Sequence, residues 1–96
     1  MPPLPNLADI IHDDIYTQKT ASYRGNHPRM EDVLALIDWD LARDPKQGTD
    51  IGECCRVYKT TPIHRTPSFW VLYSYNEAAH EVTLLSLEAV KVPTEL

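Results

Sequence analysis

Ser68-Phe69-Trp70-Val71-Leu72-Tyr73-Ser74-Tyr75 is the stretch that decides the fold. Phe69, Val71, Tyr73 and Tyr75 alternate with Trp70, Leu72 and Ser74, so both faces of an extended segment carry apolar groups, as a strand in the middle of a sheet does. The polar run Asn76-Glu77-Ala78-Ala79-His80 reads as a hairpin loop, and Glu81 to Ala89, reaching as far as Val92, supplies the antiparallel partner around Val82-Thr83-Leu84-Leu85-Ser86-Leu87. Upstream, Pro62 and Pro67 bracket a loop from Thr60 to Ser68, and Glu53 to Lys59 reads as a third strand.

Further upstream the period changes from two to 3.6. Met30, Val33, Leu34, Ile37 and Leu41 form one stripe, with Glu31 and Asp32 in the first turn and Arg43 in the last, where the helix dipole favours each charge. Pro28 suits the first helical position, so the spacing predicts a helix from Pro28 to Arg43 whose stripe faces the sheet. Asp44-Pro45 stops it, Gly48 offers a left-handed exit, and the chain should run as a loop to Gly52. Asn6 to Tyr16 carries two readings. Leu7, Ile10, Ile11 and Ile15 fit a helical stripe, whereas Asp13-Asp14-Ile15-Tyr16-Thr17 could begin a short strand. Tyr23-Arg24-Gly25-Asn26-His27 reads as a break, with Gly25 and Asn26 as turn residues. The expected fold is a two-layer α+β domain with N-terminal helices packed on a small antiparallel sheet of at least three strands.

Ninety-six residues make one domain, because a chain of this length buries only roughly 60–70% of its unfolded surface and cannot support two cores. Met1 to Pro5, with three prolines, and Pro93 to Leu96 are expected to be flexible ends. The net charge of −5 argues against non-specific polyanion binding, so any nucleic-acid contact must be local. Nine acids face five bases before Glu53, whereas four of each lie between Glu53 and Lys91. Cys54 and Cys55 are neighbours whose side chains would point to opposite faces of a strand, which suits neither a disulfide nor a zinc pair and suggests reduced thiols in a cytoplasmic protein. No apolar run reaches the roughly 20 residues of a membrane helix, and no signal peptide is apparent.

The order of helix, Asp-Pro with a downstream Gly, basic strand, variable loop, and then Phe69-Trp70-Val71-Leu72-Tyr73 followed by Val82-Thr83-Leu84-Leu85-Ser86-Leu87 resembles the RelE/ParE superfamily of type II toxin–antitoxin toxins over about Pro28 to Lys91. The resemblance implies a helical hairpin on an antiparallel sheet. It also implies an activity, either endoribonucleolytic cleavage of mRNA on the ribosome or inhibition of DNA gyrase, and a partner, a co-transcribed antitoxin that wraps and silences the toxin. No cofactor is implied.

Metal-independent RNA cleavage needs a base for the 2′-hydroxyl proton, an acid for the leaving oxygen and a cation for the charged phosphorane. Arg56, Lys59, His64, Arg65 and Lys91 are the residues that could supply them: Lys59 and His64 as proton-transfer groups, Arg56, Arg65 and Lys91 as phosphate holders, with Lys91 matching the position of a phosphate-holding residue in that family. Arg56 and Lys59 differ by three and so do not share a face of a regular strand. His12, His27, His64 and His80 lack zinc spacing; His12 with Asp13 and Asp14 reads as a solvated helix turn, and Trp39 and Trp70 as core or core edge. The apolar content of Leu36, Trp39 and the sheet margin exceeds what one short helix covers, which predicts a protein partner or a homodimer. The competing reading is a catalytically silent interaction module with the same fold.

Overall fold

Asp13 is the point at which the chain turns from strand to helix, and it sets the architecture. Its carboxylate accepts a hydrogen bond from the Ile15 amide at 3.4 Å while its own amide donates to the Leu84 carbonyl at 3.0 Å, so one residue caps a helix and closes a strand pairing. A computed structural model describes residues 7–27, 29–62 and 66–90. The element order is β1 (Asp9–His12), α1 (Asp14–Asn26), α2 (Met30–Arg43), β2 (Thr49–Gly52), β3 (Cys55–Lys59), β4 (Phe69–Asn76) and β5 (Glu81–Ala89). The sheet order is β1-β5-β4-β3-β2. β4 lies in the middle, antiparallel to both β3 and β5, as its two apolar faces predict. The two flexible-end assignments, the Pro28 helix start, the strand extension to Val92, and His64, Arg65 and Lys91 lie outside the described residues.

Four expectations are corrected. The helical stripe over Asn6 to Tyr16 is a strand at Asp9–His12, pairing parallel to β5 with Ile10 opposite Val82, so the five-stranded sheet is mixed rather than antiparallel. Ile10 turns toward the core and Ile11 away from it, and two isoleucines on opposite faces cannot form one helical stripe. Asp13 to Thr17 opens α1 instead of a strand, and α1 continues through Gly25 and Asn26, so the break lies at His27. The expected loop to Gly52 contains β2, a short edge strand against β3. Finally, the left-handed residues are Gly52, Glu53 and Cys54 in the β2–β3 turn (φ 97°, 54° and 63°), not Gly48, and this turn delays the predicted strand start from Glu53 to Cys55. Gly48 is needed for space: a Cβ there would lie 2.6 Å from the Tyr73 hydroxyl and 2.9 Å from the Val57 carbonyl.

That close approach ties the corner after α2 to the central strand. Tyr73 donates to the Pro45 carbonyl at 2.7 Å and accepts from the Gly48 amide at 3.0 Å, so a fully buried phenol is satisfied in both directions. Met30, Val33, Leu34, Ile37 and Leu41 are all buried against Phe69, Val71, Tyr73, Val82, Leu84 and Leu87, so the predicted stripe is the core. α1 closes the far end, where Tyr23 packs edge-on to Phe69 and its hydroxyl accepts from the Ala89 amide at 3.0 Å. Both helices pack on this one face of the sheet.

Candidate functional site on the open sheet face

Pairing register fixes what the other face carries. Lys59 stands opposite Trp70 and Val57 opposite Leu72 across β3 and β4, while Glu88 and Ser86 on β5 stand opposite Trp70 and Leu72. These residues alternate with the buried Phe69, Val71 and Leu87 and therefore project from the face that neither helix covers. Val57, Trp70, Leu72, Ser86 and Glu88 line a shallow depression of about 260 Å³. Trp70, read from sequence as core or core edge, is 44% exposed there because neither helix covers it.

The Lys59 ammonium lies over the Trp70 ring, 5.5 Å from its centroid, and no carboxylate pairs with it among the described residues. Glu88 on the other side of Trp70 is held by Lys19, which reaches it from α1. The face thus presents an aromatic plane between a cation and a neutralised carboxylate. Lys59 also ends β3, five and six residues before His64 and Arg65 in the sequence.

Arg56, one residue before Val57, points the other way. Its guanidinium donates to the carbonyls of Lys46 at 3.0 Å and Gly48 at 2.8 Å, with the Asp50 carboxylate 4.0 Å away, and so holds the corner that Tyr73 holds from below. The structure therefore separates Arg56 from Lys59, as their spacing requires, and gives Arg56 a backbone-bracing task that the sequence did not signal. Cys54 sits exposed on the β2–β3 turn and Cys55 is half-buried beside it; both are free thiols.

A second surface lies along α2. Leu36 is 48% and Trp39 52% exposed, with Arg43 stacked 5.2 Å from the Trp39 ring centroid, so Trp39 also lies outside the core. Beside them Val33, Ile37, Tyr58, Thr60 and Pro62 line a groove of about 170 Å³. Tyr58 donates to the Asp40 carboxylate at 2.8 Å within it, and burial together with that bond pushes the phenol up to about 12. His12, expected in a solvated helix turn, instead ends β1 and meets Asp38 of α2, a contact across 26 residues that no local pattern announces.

Among the described residues no group of three or more His, Cys, Asp or Glu side chains is placed to hold a metal ion, and no helix is long and apolar enough to cross a membrane. No protein-family model and no curated protein matches the chain.

Proposed function

We propose that this domain is the toxin-like component of a type II toxin–antitoxin pair, RelE/ParE-like in build, acting on RNA through the open face of its sheet and neutralised by a protein antitoxin. The observation that carries the reading is Lys59 over Trp70: a cation with no carboxylate partner among the described residues, beside an exposed ring, suits a platform on which a base stacks within reach of a proton-transfer group. The helical hairpin on the opposite face accords with the build the resemblance implies. In this reading Lys59 and His64 move protons, Arg65 and Lys91 hold phosphate, and Arg56 keeps its corner rather than touching substrate. The exposed Leu36 and Trp39 suit an antitoxin segment, since such apolar groups on one helix face are what an amphipathic partner buries.

Expression of the chain alone in a bacterial host is expected to arrest growth, and Lys59→Ala combined with Lys91→Ala is expected to relieve the arrest. Arg56 stays intact in this variant because its loss would loosen the Lys46–Gly48 carbonyls. Arrest that persists in the folded variant would place the activity elsewhere.

The silent interaction module is the second reading, favoured by one observation: the strand arginine is bonded to backbone carbonyls, leaving Lys59 as the one described cation of the predicted set on the open face. A soluble wild-type protein that never arrests growth, with no antitoxin present, would select it. Gyrase inhibition separates from RNA cleavage by intact transcripts in arrested cells.

A further inference from the structure

α2 carries two stripes, and the core uses only one. Met30, Val33, Leu34, Ile37 and Leu41 face the sheet, while Asp32, Leu36, Trp39 and Arg43, at intervals of four, three and four residues, form a second stripe along the solvent side. That spacing is the seam along which two helices pack. Both flanks are occupied: Glu31 meets Arg24 of α1 and Asp38 meets His12 of β1 on one side, and Asp40 meets Tyr58 of β3 on the other. All four stripe residues between them are exposed. Their charges are loosely held. Asp32 accepts from Arg29 at the exposed start of the helix, and Arg43 lies 3.7 Å from Asp40, beyond hydrogen-bond reach, while that carboxylate takes the Tyr58 hydroxyl at 2.8 Å. Exposed pairs of this kind contribute little, so an incoming charge can replace them.

We infer that a second copy of this chain covers the stripe, with the two α2 helices antiparallel across a twofold axis between Leu36 and Trp39. The stripe runs acid, apolar, apolar, base. Turning it end for end therefore sets Leu36 of each copy against Trp39 of the other, and Asp32 of each against Arg43 of the other. A parallel pair would instead put Asp32 on Asp32 and Arg43 on Arg43, which repels. Charge order thus selects both the occupant and its direction. The groove along Tyr58 opens beside Leu36, so the tryptophan of the other copy meets a concave apolar seat rather than a flat surface, which is where an aromatic anchor binds best. One helix against another lies at the low end of specific interfaces, below roughly 1,200 Å², so the dimer is reversible and dissociates on dilution. The inference needs neither an activity toward RNA nor an antitoxin, and an antitoxin segment on Leu36 and Trp39 has to displace the second copy.

Sedimentation equilibrium of the full chain alone, from micromolar to millimolar concentration, tests it together with amide chemical shifts over the same dilution series. The mass should rise from one chain toward two and no further, and the shifts that follow it should lie at Asp32, Leu36, Trp39, Arg43 and the neighbouring Tyr58. Asp32→Arg and Arg43→Asp should each weaken self-association at least about tenfold, because each places like charges together at both ends of the seam. Mixed one to one, the two variants should associate as tightly as wild type, since every charge then faces its opposite. A strict monomer throughout overturns the inference and leaves the stripe to a partner of another sequence. Shifts centred on Lys59 and Trp70 overturn it by placing the contact on the open sheet face, and a mixture no tighter than either variant alone overturns the antiparallel pairing. The wild-type series decides the matter even where a variant fails to fold. Growth arrest is not read in any of these measurements, so failure here and failure of the toxin reading are told apart.

Discussion

The two faces of the same central strands have opposite fates. On the helix side, Phe69, Val71, Tyr73, Val82, Leu84 and Leu87 are completely buried, whereas on the other side Trp70 is nearly half exposed and its neighbours Lys59 and Glu88 reach solvent. A face with a second layer converts apolar area into stability at roughly 1.5–3 kcal/mol for each fully buried large side chain. A face without one converts very little. The aromatic side chain on the open face is therefore available for contact with something outside the fold, and substitutions on the two sides should separate stability from function.

The largest effect is expected at Ile37, fully buried in the middle of the α2 stripe. Ile37→Ala should cost about 2–5 kcal/mol, a large part of what a domain this small possesses, read as a lowered denaturant midpoint at unchanged m-value. An unchanged midpoint would mean that the covered face is not the stabilising one.

The same contrast explains what could be read in advance. The α2 stripe and the β4–β5 pairing were legible because each rests on a local period, and both fall where periodicity puts them. β1 was not, because Leu7, Ile10, Ile11 and Ile15 satisfy a helical spacing equally well and only the pairing with β5, some 70 residues away, chooses extended backbone. β2 escaped notice because its four residues, Thr49–Gly52, are all exposed and carry no apolar alternation. For the site, the spacing of Arg56 and Lys59 correctly kept them off one face, but the Lys46 and Gly48 carbonyls that claim Arg56, the exposure of Trp70, and the His12–Asp38 contact all arise from tertiary placement.

A middle-sized effect lies where the covered face ends, at Tyr58. Its phenol is pushed up to about 12 by burial and by its bond to Asp40, while in the unfolded chain it ionises near 10. Between those values the unfolded state has released a proton that the folded state keeps, so the contribution is whole below pH 10 and is lost as the pH rises toward 12. Tyr16 and Tyr73 are shifted upward too, chiefly by burial, so they act in the same direction. Tyr58→Phe should cost about 1 kcal/mol at neutral pH for the lost hydrogen bond, and should make the alkaline fall in stability shallower than in wild type. An equally steep fall, measured by denaturation at pH 9, 10 and 11, would mean that Tyr58 does not differ between the folded and unfolded states.

The smallest expected change in stability is on the open face, and it is the most discriminating. Trp70→Ser removes the largest side chain there, yet it opens no enclosed cavity, because the ring is nearly half exposed and, among the described residues, neither helix covers it. The midpoint should move by no more than about 0.5 kcal/mol, within the range of surface substitutions. Growth arrest should nevertheless be relieved, because the cation beside the ring would have lost the plane on which a base stacks. A stability loss comparable to that of Ile37→Ala would mean that a second layer covers this face after all. A variant that is as stable as wild type and arrests growth equally well would detach Trp70 from function and leave Lys59 as an ordinary solvated charge at the end of β3.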